Sequence, residues 1–371
     1  MAIVTLGDVA IESRETWKSD KENIPIVGLE HLEPGEISLS KWDINSDNTF
    51  TKMFRKGQVL LGRRRVYLRK AVIAPTDGIC SGDITVIEAM PGKILPELLP
   101  FIIQNDRFFD YAMQGSAGSL SPRVKWEHLQ AYKFQLPNLE EQKVLADKLW
   151  AAYNLKSSYN KLLAATDEMV KSQFIEMFYG RETTPAKEYL DDSYPGEWGS
   201  EDNDGNGVKV IRTTNFMNTG KLNLEDVVTR NIEERKVARK QIRKFDTILE
   251  RSGGTTDNPV GRVVLFEDEG LFLCNNFTQV LRFKDIDPRY AFYALYFFYQ
   301  TNKTAIRSMG SKTTGIQNLN MSKYLEIGIP NATQDEQNEF VRIAEQADKS
   351  KFELRKSIEA IDAVIKSLIN S

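Results

Sequence analysis

Two runs of cations are the first residues with chemistry to offer: Arg63, Arg64 and Arg65 with Arg69 and Lys70, and then Arg235, Lys236, Arg239, Lys240, Arg243 and Lys244. Clustered guanidinium and ammonium groups suit polyanions, because each charge placed on a phosphate releases a counterion. A solvated surface face is the ordinary alternative. Polar, glycine-containing stretches accompany both runs. The first half of the chain offers Ser116, Ser119, Ser121 and Arg123; the second offers Arg251, Thr255, Thr256 and Asn258, then Ser311, Lys312, Thr313 and Thr314. Such side chains can reach base edges and discriminate between them, whereas phosphate contacts only position.

Catalytic constellations are missing. Asp257-Asn258-Pro259-Val260 lacks the second proline and the aromatic ring of an amino-methyltransferase loop. Gly310 and Gly315 carry the glycine spacing of a phosphate-binding loop, yet Ile316-Gln317 stands where lysine and serine or threonine are required. Glu141-Gln142-Lys143 has a nuclease-like Glu-x-Lys form, but the matching Glu336-Gln337-Asn338 has no lysine, and both read as helix caps. The two histidines, His31 and His128, lie in no triad context, and Cys80 and Cys274 read as two equivalent core positions. With two cysteines there is no zinc spacing and no disulfide framework, so no metal is expected.

The elements that must position these residues are written twice. Ala165-Thr166-Asp167-Glu168-Met169-Val170-Lys171-Ser172 restates itself as Ala360-Ile361-Asp362-Ala363-Val364-Ile365-Lys366-Ser367, an offset of 195 from Asp167 to Asp362. The same offset carries Glu141 to Glu336 and Asn138 to Thr333, two cap-x-x-Glu signatures that each start a helix. Weaker matches keep the same order, among them Arg55-Lys56-Gly57-Gln58 with Arg243-Lys244-Phe245-Asp246. In the second helix Phe340, Ala344, Ala347, Leu354, Ile358, Ile361, Ile365 and Leu368 follow the 4-3 spacing of a coiled-coil seam. The first carries Leu145, Leu149, Ala152, Tyr159, Leu163, Thr166 and Val170 in the same places. Both seams are broken at one matching residue, Lys156 and Lys351, which either snorkels to solvent or fixes the register.

A mixed α/β fold follows, with two globular domains separated and bridged by two long antiparallel coiled-coil helices and related by a pseudo-two-fold repeat. The boundaries are 1–137 for the first domain, 138–180 for the central helix, 181–330 for the second domain and 331–371 for the last helix. Short apolar runs at 24–27, 58–61, 84–87, 208–211, 263–266 and 278–281 read as strands, and 202–207 reads as a loop. Pro96 and Pro288 each precede an apolar stretch suited to a buried helix. The longest apolar run, from Tyr290 to Tyr299, is half a membrane span, and the first residues make no signal peptide, so a cytoplasmic chain without membrane contact is expected. The 371 residues are 41% hydrophobic and 27% charged with a formal charge of −3, which gives no general attraction for polyanions and leaves any such role to local basic faces.

Duplicated variable segments, each closed by proline and a capped Glu-Gln helix ending in Asp-x-x-(Val/Ile)-Lys-Ser, resemble the specificity subunit of Type I restriction-modification systems. The stretch Gly62 to Ala74 followed by Gly78-Ile79-Cys80-Ser81-Gly82-Asp83 is similar to a first target-recognition domain of that family. The resemblance implies that each domain reads one half of a split, asymmetric site on double-stranded DNA, while the helices set the spacer and dock two modification subunits. It implies no catalysis in this chain. Adenine methylation with S-adenosylmethionine, and cleavage driven by ATP in restriction subunits, would belong to the partners. Apart from the resemblance, a protein–protein scaffold with duplicated binding domains on a helical rod is the alternative.

Overall fold

The computed structural model describes residues 2–118, 121–255, 257–313 and 316–370, without the side chains of 312 and 313. The chain divides into two compact units, Met1–Leu163 with Glu353–Ser371, and Ala164–Phe352. Each unit therefore takes one part of each long helix.

In the first unit, one four-stranded antiparallel sheet runs Ala10–Glu12, Ile84–Ala89, Val59–Gly62, Ala71–Ile73. Val59, Leu60 and Leu61 are wholly buried, as a central strand covered on both faces must be. A second sheet runs Asp43–Ile44, Pro25–Val27, Gly78–Cys80, Lys52–Phe54, and its middle pair is parallel. The second unit repeats the plan. Leu190–Pro195, Thr278–Phe283, Thr247–Glu250 and Val263–Leu265 form the antiparallel sheet, and Val208–Ile211 pairs in parallel with Phe272–Cys274 in the other. All six apolar runs read from the sequence fall on these strands, none overrunning its strand by more than one residue at either end.

The repeat extends to backbone details. Before each central strand the chain turns through the left-handed region, at Gly57 (φ 86°) and at Phe245 (φ 69°). In each turn a side chain accepts from the backbone N–H three residues earlier, Gln58 from Arg55 and Asp246 from Arg243, both at 2.8 Å. Glycine takes that conformation at no steric cost; phenylalanine must be held there by its surroundings.

The apolar stretches differ more than their sequences suggest. Pro288 opens a single helix, Pro288–Thr301, capped by Asp287. The stretch after Pro96 instead breaks into Leu99–Ile103 and Asp106–Gln114. The break has a local cause: Asn105 caps the second piece, while the Gln104 amide donates to the carbonyls of Glu36 and Ala71.

The long helices span Leu139–Phe178 and Gln334–Asn370. Both begin in a full capping box. Asn138 N–H donates to Glu141 at 3.2 Å and Glu141 N–H to Asn138 at 3.0 Å; Thr333 and Glu336 make the same exchange at 2.8 and 3.4 Å. The next residue in each box does more than the sequence signals. Gln142 is buried, accepts from Leu95 N–H at 2.9 Å and donates to the carbonyls of Lys93 and Pro137. Gln337 likewise accepts from Asp287 N–H at 2.8 Å and donates to Ala332. Each glutamine fastens its helix to the loop that leads into the apolar helices.

Within the second unit the two long helices run antiparallel, since Asp167 meets Lys351 while Phe174, further along, stacks edge-on against Phe340 at 5.1 Å. Phe174, Phe178, Tyr290 and Phe340 form a nest of tilted and edge-to-face rings, each such pair contributing about 0.5–1.5 kcal/mol beyond its burial. The seam lysines do not snorkel. Lys156 donates to Asp362 at 2.7 Å inside the first unit; Lys351 donates to Asp167 at 2.7 Å and pairs with Asp348 at 2.8 Å inside the second. The two lysine–aspartate pairs are the same contact written twice, because Lys156 is the repeat of Lys351 and Asp167 that of Asp362. Burial opposes the Lys351 charge, but its bonds to Asp167 and Asp348 outweigh it and hold the ammonium above the usual lysine range.

Candidate nucleic-acid interface

Just past the central strand of the first unit, three segments come side by side. Arg64 pairs with Arg123, and Arg123 pairs on its other side with Ala117, both antiparallel. Arg63 anchors the edge: its N–H donates to the Asp83 carbonyl at 2.9 Å and its carbonyl accepts from Val124 N–H at 3.0 Å. Arg65 and Arg69 both take left-handed φ of 53°, bracketing the turn Val66–Leu68. Non-glycine residues are uncommon there, and such strain collects at binding sites.

Asp83 organises the side chains. Arg123 donates to it through Nε at 2.7 Å and Nη2 at 3.3 Å, and Arg64 through Nη1 at 3.4 Å. The second arm of Arg64, Nη2, reaches Ser121 at 2.9 Å. Arg123, then burial in opposition, then Arg64 act on the Asp83 carboxyl, and the guanidinium groups prevail, holding it below the usual carboxylate range. Among the described residues, Arg63 Nε, Arg64 Nε and Ser116 Oγ are buried without a partner. The structure thus brings Arg63, Arg64, Arg65, Ser116, Ser121 and Arg123 together. Arg69 is held apart by Asp106 at 2.5 Å and Asp110 at 3.0 Å on the neighbouring helix.

The second unit builds the same three-stranded ledge with other residues. Ser252–Gly253, Ile316–Leu319 and Gly310–Thr313 form its sheet, with Asn318 paired to Ser252 on one side and Ser311 on the other. Arg251 repeats the anchoring of Arg63, its N–H donating to Phe277 at 2.9 Å and its carbonyl accepting from Leu319 at 2.8 Å. By pairing, Asn318 stands where Arg123 stands, Ser252 where Arg64 stands, and Phe277 where Asp83 stands. Ser252 Oγ donates to Asn318 Oδ1 at 2.7 Å. Beside the ledge, Thr255 and Asn258 close a turn on each other, Thr255 N–H onto the Asn258 carbonyl at 2.7 Å and Asn258 N–H onto Thr255 Oγ1 at 3.0 Å. Ser119, Thr256 and Thr314 lie outside the described residues, as do the side chains of Lys312 and Thr313.

Arg239 and Lys240 close the helix Glu234–Lys240, and Arg243 follows it. Lys240 pairs with Glu197 at 2.9 Å, while Arg239 and Arg243 are exposed. No hydrogen bond or ion pair among the described residues joins this helix to the ledge. Ser252 lies inside the candidate stretch 251–258, whereas Asp83 and Asn318 escaped the sequence reading, because an aspartate and an asparagine carry no basic signal; the repeat alignment to Arg123 is what could have found Asn318.

The remaining reactive groups serve the fold. His31 Nδ1 accepts from Gly28 N–H at 2.9 Å, and His128 stacks on Tyr111 at 4.3 Å. Cys80 and Cys274 are buried in matching strands, and burial raises their thiols to about 12 and about 11. Among the described residues, no group of three or more His, Cys, Asp or Glu side chains comes together to hold a metal ion, and no helix is long and apolar enough to cross a membrane.

Residues 1–164 and 196–362 match the family described as "Type I restriction modification DNA specificity domain". A curated relative, the Type I restriction enzyme EcoDI specificity subunit of Escherichia coli, is 27% identical over 148 residues, which is 39% of this chain and a third (33%) of that relative's length. Two solved structures share the fold. The S subunit of a Type I restriction-modification system from M. genitalium superposes with a TM-score of 0.56 at 12% identity, covering 100% of this chain and 95% of that one. A chain from a structure describing complex assembly and conformational transition of the type I R-M system gives 0.55 at 17%, covering 99% and 96%. With two family matches that together take in most of its length, this chain belongs to the Type I restriction-modification DNA specificity family.

Proposed function

We propose that this chain reads double-stranded DNA for a Type I restriction-modification complex and carries no catalytic step itself. Each recognition domain, 1–137 and 181–330, reads one half of a split site. The helices, 138–180 and 331–371, set the spacer and dock two modification subunits. The observation that carries the reading is the ledge built twice on one backbone plan, after Arg63 and after Arg251, with different side chains at each equivalent position. A duplicated frame with unlike ledges is what an asymmetric bipartite target requires. Arg63, Arg64, Arg65, Arg251 and the exposed Arg239 and Arg243 supply phosphate contacts, while Ser116, Ser121, Arg123, Thr255, Asn258 and Ser311 stand nearer the bases. S-adenosylmethionine and ATP bind in the modification and restriction partners, which perform methylation and cleavage.

The test is binding of the full chain, with its modification subunits, to random-sequence duplexes followed by sequencing of the bound fraction. The expected result is two short conserved blocks separated by a fixed gap of about one helical turn, roughly 10 base pairs or somewhat fewer. Affinity should fall steeply with salt, the logarithmic slope being about −0.9 per phosphate neutralised. Removing whole turns from the paired helices should change the gap and leave the blocks intact. Selection of no sequence, with salt-insensitive binding, would favour the protein scaffold instead.

A further inference from the structure

Resting on that reading, we infer that Arg123 is the guanine-reading side chain of the first recognition domain, that Asp83 positions it, and that Asn318 holds the equivalent place in the second. Arginine has five donors in a planar fork. Asp83 takes the Nε edge of Arg123 and one donor of Nη2, at 2.7 and 3.3 Å. Three donors remain, and they include the Nη1/Nη2 edge, whose spacing suits the O6 and N7 acceptors of guanine in the major groove. The side chain is 44% exposed, so this edge is within reach of a ligand. Arg64 is built differently. Each of its two arms already holds one partner, Asp83 or Ser121, and its Nε is buried, so it braces the second carboxylate oxygen and is left to meet a phosphate and not a base edge.

The comparison between units supplies the contrast. In the second ledge Asn318 replaces Arg123, Ser252 replaces Arg64, and no carboxylate stands at Phe277. A carboxylate is needed where an arginine must be aimed and has no use where an amide is aimed by a hydroxyl, here Ser252 on Asn318 at 2.7 Å. The positioning residue and the residue it positions have therefore changed together between the two units. An asparagine amide matches the donor–acceptor pair of adenine in the same groove. The two half-sites then differ in the base set by the middle strand of the ledge: guanine in one, adenine in the other.

The experiment repeats the random-duplex selection with the full chain carrying Arg123→Ala, Arg123→Lys, Asp83→Asn or Asn318→Ala. Lysine keeps the charge and loses the fork. Arg123→Lys should cost about 5- to 150-fold in discrimination at a single guanine position of one block, the range for one bidentate contact, and leave the other block unchanged. Asp83→Asn should blur the same position while changing nonspecific affinity and its salt slope little, which a merely structural role would not do. Asn318→Ala should relax one adenine position in the other block only. Where Arg123→Ala fails to fold, Arg123→Lys and Asp83→Asn decide. If the wild type selects two blocks and neither variant changes the base preference at any position, the assignment is overturned while the bipartite reading stands. If the wild type selects no blocks, the functional reading itself falls.

Discussion

Exchanging Lys351 for methionine removes one charge from the interior of the second unit's helix pair and keeps most of its volume. Lys351 is the more enclosed of the two seam lysines, its side chain 11% exposed against 21% for Lys156. Stranding a fully buried partner costs about 3–5 kcal/mol. Two features reduce that here: Asp167 is half exposed, so water relieves it, and Asp348 keeps Lys221 at 2.7 Å. The expected loss is therefore about 1–3 kcal/mol for Lys351→Met. Lys156, itself more exposed and with a single partner, should lose only about 0.5–1 kcal/mol when changed in the same way. Urea unfolding followed by circular dichroism would measure both, and hydrogen exchange over 340–352 would locate the loss, since a chain of two units need not unfold in one step. A double-mutant cycle with Asp167→Asn should return a coupling of about 0.5–2 kcal/mol. Equal costs for the two lysines, or no coupling between Lys351 and Asp167, would refute the view that the pair fixes the helix register.

The other expectations concern the frame. Gln142→Ala leaves the N–H of Leu95 and the carbonyls of Lys93 and Pro137 without their partner, so denaturant unfolding should show a loss of about 1–3 kcal/mol, and Gln337→Ala a similar one. The Glu336 carboxyl is drawn down to about 2 by Arg181 and then by the backbone and hydroxyl of Thr333. A depressed carboxylate contributes stability that is present above its unfolded value, about 4.3, and is lost as the pH falls through about 2. Arg181→Ala should accordingly move acid unfolding to higher pH, as followed by circular dichroism. Cys80 and Cys274, buried and with thiols raised to about 12 and about 11, should resist a thiol-specific reagent at neutral pH and react fully only in denaturant.

Much of the frame is local in origin, and local features are legible. A capping box joins residues three apart, so Asn138 with Glu141 and Thr333 with Glu336 announce both long helices without any knowledge of what packs on them. Short strands declare themselves through β-branched runs between turn residues. Duplication then acts as a second witness: a lysine that breaks an apolar seam once is ambiguous, but one that breaks it at the same place in both halves, with an aspartate repeated alongside, marks a built feature. Even so, composition could not decide between a lysine reaching for solvent and one held by an aspartate on the opposite helix, because the choice depends on which residue faces it.

The pairings inside the candidate interface lay beyond local reasoning for the same physical reason. Asp83 and Arg123 are 40 positions apart, and nothing in either neighbourhood says that the segments carrying them lie against each other. Charge density along the chain put Arg69 with Arg63, Arg64 and Arg65, while tertiary packing gave Arg69 to Asp106 and Asp110 and brought Arg123 beside Arg64. The sequence by itself determined the duplication, the capped helices and the family. Only the tertiary structure decided which carboxylate each arginine meets, because that depends on where carboxylates from distant strands arrive.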